Sequence, residues 1–123
     1  MSDDSMVKDI LKQMLEALRK IEWRFAPVNL VNDFTDTPQG MEKLDSICML
    51  LVAIGESCKK IDRLTDGSLL ARHPEVDWKG VKGLRDIISH HYFDVDAEEI
   101  YLICLEQIAP LADTIQKMLE APE

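Results

Sequence analysis

Apolar residues recur along this chain at helical rather than alternating spacing. From Met6 to about Phe25, Ile10, Met14, Leu18 and Ile21 fall on one face, and Leu11, Leu15 and Phe25 widen it. The stretch Asn29–Pro38 is rich in Asn, Asp and Thr and reads as a loop. Thr37 is placed to cap the next helix, with Pro38 at its first position, where a missing N–H costs nothing. That helix carries the most regular pattern: Leu44, Ile47, Leu51, Ile54, Cys58 and Ile61 are separated by alternating steps of three and four, as in a bundle seam. Met49, Leu50, Val52 and Ala53 make further sides apolar and predict a central helix. Asp66-Gly67 ends it.

The segment Gly67–Val76, interrupted by Pro74, reads as a loop with room for one helical turn. Asp77 caps a predicted third helix that starts near Trp78 and runs to His91 or Phe93. Gly80 and Gly83 weaken it by roughly 1 kcal/mol each and permit a close approach to another helix. Asp96 and Glu99 have the spacing of a capping box and open a last helical region reaching about Leu119, which Pro110 kinks or divides. No repeat, low-complexity tract or linker interrupts the pattern. The expected fold is all-α, an antiparallel up-and-down bundle of four to five helices, in a single domain over residues 1–123.

Composition narrows the function classes. With 46% hydrophobic and 30% charged residues the chain has ordinary globular composition. No apolar run approaches the ~20 residues that span a bilayer, and the acidic start has no secretory pattern, so a cytoplasmic protein without membrane contact is expected. Cys48, Cys58 and Cys104 lack metal-ligand spacing and read as buried free thiols. No set of carboxylates and histidines suggests a metal site, and no cofactor is implied. The net charge of −9 argues against general nucleic-acid binding and against DNA as a partner, so an RNA or nucleotide ligand needs a local basic site. The same acidity suits a basic protein partner.

The concentrated chemistry lies in Arg85-Asp86-Ile87-Ile88-Ser89-His90-His91-Tyr92. On a helical wheel Val81, Leu84, Ile88 and His91 form the inner stripe. Arg85 and Tyr92 lie nearly in line at its edge with Ser89 beside them, whereas His90 is about 140° away from Arg85. One subunit does not easily aim both at one phosphate; a second copy across a two-fold axis does, which favours a homodimer with a composite cleft. The fitting chemistry is RNA phosphodiester cleavage without a metal. A histidine titrating at ~6.5 removes the 2′-hydroxyl proton, an arginine holds the phosphate, and Tyr92 binds phosphate or stacks on a base. The structural alternative pairs Arg85 with Asp86 or another acid and leaves the histidines as helix-end caps.

Arg85, His90 and Tyr92 reproduce an R-x-x-x-x-H-x-Y motif, and in this the chain resembles the HepT-like ribonuclease toxins, a branch of the HEPN superfamily. Asp86 suits the polar residue that follows the arginine there. Ala53-Ile54-Gly55-Glu56-Ser57 resembles the family's "IGEA" helix motif, with Ser57 in place of alanine. His73-Pro74 through Asp77-Trp78-Lys79 resembles its lead-in, and His91-Tyr92-Phe93-Asp94-Val95-Asp96 its exit. The resemblance spans nearly the whole chain.

It implies a HEPN-like homodimer and the toxin component of a type VII-like toxin–antitoxin module. Arg85 and His90 are then the catalytic pair of an endoribonuclease cleft. Tyr92 is the side chain to which a cognate minimal nucleotidyltransferase antitoxin adds AMP, blocking RNA phosphate beside Arg85. Asp86, Ser89, His91 and Glu56 are supporting residues. Glu56 lines the cleft or orders Arg85, or else forms a plain interhelical salt bridge, and Gly55 allows close packing. A non-catalytic helical subunit that presents substrate to a nucleotidyltransferase is the alternative, and a plain interaction protein a third reading.

Other residues read as structural. His73 is a loop residue, Trp23 and Trp78 are core or interface anchors, and Met41, Met49 and Met118 are packing residues. Lys59, Lys60 and Arg63 form the best basic patch, either a solvated helix end or an aid to RNA binding.

Overall fold

The computed structural model describes residues 3–90 and 93–121. Among these, eight helical segments and no strand occur, so the fold is all-α. Helix α1 (Asp3–Phe25) begins a few residues before its apolar stripe, with Asp3 and Asp4 in the first turn, where carboxylates face the positive end of the helix dipole. It buries Val7, Ile10, Leu11, Met14, Leu18 and Ile21.

The loop expected over Asn29–Pro38 contains a single turn, α2 (Asn32–Thr35). Phe34 in this turn is fully buried and packs 6.1 Å from the Phe25 ring. The Asp33 carboxylate accepts the backbone N–H groups of Asn29 and Leu30, and the Tyr101 hydroxyl donates to the Asn29 carbonyl. One aromatic residue among polar neighbours leaves no periodic trace, which explains why the pattern missed this turn.

Helix α3 (Pro38–Thr65) starts and stops where its sequence signals lie. The Thr37 hydroxyl accepts the Gly40 N–H at 3.0 Å, and Asp66 (φ 52°) and Gly67 (φ 76°) terminate it in the left-handed region. Leu44, Ile47, Leu51, Ile54, Cys58 and Ile61 are all buried, and α3 touches α1 and α2 on one hand and every segment from α4 to α7 on the other. The helix is central, but its further apolar residues do not all pack. Met49 is 74% exposed, and Met41 is exposed too, so neither is the packing residue expected; Met118 is buried.

After α4 (Ser68–Ala71), held by buried Leu70, the predicted third helix is divided at Gly83 into α5 (Trp78–Lys82) and α6 (Leu84–His90). Gly83 sits at φ −78°, ψ −9°, tighter than α-helical, and Gly80 and Gly83 together supply little propensity against such a break. Phe93 lies outside the helix, and the expected His91 end falls outside the described residues. Trp78 is the anchor expected, its indole N–H donating to the His73 carbonyl at 2.8 Å, whereas Trp23 is 78% exposed and forms no part of the core.

The last helical region is also divided, into α7 (Ala97–Glu106) and α8 (Ile108–Glu120). Asp96 accepts the N–H groups of Glu98 and Glu99 at its start. The break at Gln107 is the work of Pro110, which donates no N–H and whose ring crowds the carbonyl four residues earlier, at Glu106. The three thiols are buried and unpaired. Burial pushes Cys58 up to about 12, with Asp62 adding and Lys82 opposing; burial and the neighbouring Cys48 push Cys104 up to about 12, and Cys48 itself stands at about 11. No helix among the described residues is long and apolar enough to cross a membrane.

Candidate active site

The site is built on a close contact between α3 and the α5–α6 junction. A Cβ on Gly55 would stand 2.9 Å from the Val81 carbonyl oxygen and 3.7 Å from the Arg85 backbone nitrogen. Only glycine lets the two backbones meet at this distance. Seven residues further along α3, Asp62 pairs with Lys82 of α5 at 2.6 Å, both side chains being about a third exposed or less. This second clamp joins residues twenty apart and left no sequence signal.

Glu56 follows Gly55 and so meets Arg85, the second residue of α6. Its Oε1 lies 3.3 Å from Arg85 Nε and 3.8 Å from Lys59 Nζ. That oxygen is sealed from solvent yet accepts no well-aligned hydrogen bond, so charge rather than directional bonding holds it. Arg85 therefore pairs with Glu56 across helices, not with its neighbour Asp86, and Glu56 both orders Arg85 and forms the interhelical ion pair. The Arg85 side chain stays 54% exposed. The pair uses Nε, so the two terminal amino groups of Arg85 are not engaged by Glu56.

Along α6, Leu84 and Ile88 are buried, while Arg85, Asp86, Ser89 and His90 are exposed. The outer half of this short helix thus carries every described residue of the polar cluster. Arg85 and Ser89 form one column and Asp86 and His90 another, with Arg85 and His90 about 140° apart around the axis and roughly 7.5 Å apart along it. Arg85 lies on the side next to α3, and His90 closes the helix on the side away from Glu56. His91 and Tyr92 lie outside the described residues. Just beyond, Asp94, Asp96 and Glu99 line a cavity of about 440 Å³ together with Ile87 and Ile88, so the far end of α6 is strongly acidic.

The family model "Ribonuclease HepT-like" matches residues 14–118. The chain belongs to the HepT-like ribonuclease family. It is 25% identical to the Methanocaldococcus jannaschii protein named "Putative RNase" over 93% of this chain and 88% of that one. A "Probable ribonuclease HepT" of Thermococcus cleftensis is 28% identical over 90% of this chain and 94% of its own. A further "Putative RNase", from Caldanaerobacter subterraneus subsp. tengcongensis, is 30% identical over 57% of this chain and 59% of its own. No solved structure matches.

In this HepT-like chain the geometry gives Gly55 and Glu56 concrete tasks, the first fixing the helix contact and the second steadying Arg85. Lys59, which shares Glu56 with Arg85, was legible only as part of a basic patch.

Proposed function

We propose that this HepT-like chain is the ribonuclease toxin of a toxin–antitoxin pair, cutting RNA without a metal at a cleft formed by two copies. The observation that carries the reading is the exposed Arg85 guanidinium steadied by Glu56. In the reaction, His90 takes the proton of a ribose 2′-hydroxyl, whose oxygen attacks the adjacent phosphorus. The P–O5′ bond breaks and O5′ takes a proton from water, leaving a 2′,3′-cyclic phosphate and a 5′-hydroxyl, while the imidazolium returns the 2′-hydroxyl proton to solvent. Arg85 holds the non-bridging oxygens as charge accumulates on them. Asp86 and Ser89 border this path on the outer half of α6, and His91 is a further imidazole that follows His90 in the sequence.

Because Arg85 and His90 diverge within one chain, the pair that works on one phosphate comes from Arg85 of one copy and His90 of the other. The exposed apolar residues Met49, Leu102 and Leu105 supply a surface for that partner. Regulation follows from Tyr92. A cognate minimal nucleotidyltransferase transfers AMP from ATP to its phenol oxygen with release of pyrophosphate. The adduct places an anion on a residue seven positions after Arg85 in the sequence, where it would compete with RNA phosphate.

Expression should arrest growth, and both Arg85→Ala and His90→Ala should relieve it. Purified protein should cut RNA to cyclic-phosphate ends in the presence of chelator. Harmless wild type together with intact RNA would remove the ribonuclease reading, and intact RNA with tight binding to a nucleotidyltransferase would favour the non-catalytic subunit. Met49→Glu should shift the protein to monomer in sedimentation and abolish cleavage; a fully active monomer refutes the shared cleft. Addition of AMP that persists in Tyr92→Phe sinks the regulatory step.

A further inference from the structure

We infer that Lys59, Lys60 and Arg63 form a track for the sugar–phosphate backbone of the RNA, leading away from Arg85 along the second half of α3. The inference rests on the ribonuclease reading and adds a substrate-binding surface to it. Measured around the α3 axis from Glu56, Lys59 falls at about −60°, Lys60 at about +40° and Arg63 at about −20°. All three therefore share the face from which Glu56 reaches Arg85, within about 10 Å of helix. Lys59 and Arg85 are joined through one carboxylate oxygen, at 3.8 and 3.3 Å, so the basic run is continuous with the site. Lys60 and Arg63 project from the same face, and both are exposed.

The acids nearby are largely occupied. Asp62 is neutralised by Lys82 at 2.6 Å, and Glu56 is shared between two cations. Lys59, Lys60, Arg63 and Arg85 still outnumber Glu56, Asp66 and Asp86. In a chain of net charge −9 this is a local reversal of sign. The opposite end of α6 has the reverse character, with Asp94, Asp96 and Glu99 around one cavity. A polyanion held at Arg85 is repelled at that end and drawn along α3, so the field sets the direction in which the strand leaves the site.

The test uses a fluorescein-labelled oligouridylate and the His90→Ala protein, which binds without cutting. Affinity is followed by anisotropy across a salt series. Lys60→Gln with Arg63→Gln should weaken binding and flatten the slope of log K against log salt by roughly 1.4, about 0.7 for each single-strand phosphate no longer neutralised. Lys12→Gln with Lys20→Gln, an equal charge change on the exposed side of α1, should leave the slope in place. With His90 restored, the α3 pair should raise KM and leave kcat near its original value. Lys59 is left intact because its removal would also disturb Glu56. A slope unchanged by the α3 pair, or lowered as much by the α1 pair, overturns the track alone. Absence of RNA binding together with intact RNA from the parent protein overturns the ribonuclease reading and the track with it.

Discussion

Gly55→Ala separates two opposed effects at the contact on which the site depends. Glycine in a helix interior costs about 1 kcal/mol relative to alanine, so propensity alone makes the substitution stabilising. The new methyl group, however, would sit 2.9 Å from the Val81 carbonyl oxygen, a backbone atom that cannot rotate away. Relief to ordinary van der Waals distance requires α5–α6 to retreat by about half an ångström, and overpacking of this kind costs about 1–3 kcal/mol. The steric effect prevails, and a net loss of up to about 2 kcal/mol is expected in urea unfolding, with an unchanged m-value. The same retreat moves Arg85, whose backbone nitrogen is a neighbour of the added atom at 3.7 Å. Displacement by 1 Å at a reacting centre can cost about 100-fold, so half that distance should lower kcat/KM roughly tenfold. A Gly55→Ala protein that gains the full 1 kcal/mol and cuts RNA normally would refute the claim that this close approach positions the site.

Three further outcomes follow from other parts of the fold. Gly67→Ala meets no atom within 4 Å but must adopt φ 76°, so it should cost about 1–2 kcal/mol by strain alone, measured by urea unfolding; a neutral result would contradict the left-handed cap. Asp62→Asn and Lys82→Met should each destabilise by about 1–2 kcal/mol, between exposed and buried ion pairs, and a double-mutant cycle should show positive coupling; additive losses would mean that the clamp holds nothing. The thiols have folded pKa values raised from 9.0 to about 11 for Cys48 and about 12 for Cys58 and Cys104. Because the unfolded chain then loses these protons first, their contribution is complete below pH 9 and declines as pH rises toward about 12. Alkaline unfolding followed by circular dichroism should be delayed in Cys58→Ala relative to its own stability at pH 7, and an identical pH profile would exclude the thiol as a contributor.

Periodicity and caps carried most of the fold because burial in a helical bundle is a repeated, local constraint. The α3 seam and the Thr37, Asp77 and Asp96 caps are each legible within a few residues. The turn at Phe34 and the division at Gly83 were not, since the first depends on one aromatic finding Phe25 and the second on α5 and α6 meeting α3 at Gly55. Gly80 and Gly83, read as openings for another helix, face only Asp77 and the backbone of their own segment. Met49 shows the reverse failure. Its apolarity suggested packing, yet it stands at about +20° on the same outward face as Glu56, where this chain offers it no neighbour.

That outward face of α3 ties the parts of the site together. Toward the N-terminus it carries exposed Met49 and Ala53; toward the C-terminus it carries Lys59, Lys60 and Arg63; Glu56 lies at the change of character and takes hold of Arg85 there. On the proposed reading the exposed apolar half would meet the second copy and the basic half the RNA, so that a single helix face would separate a subunit contact from a substrate contact. Arg85 stands on the boundary, where the proposed shared cleft would place a departing RNA strand. The buried seam of α3 does not reveal this division, because the seam records what the helix packs against and the opposite face records what it is left to bind.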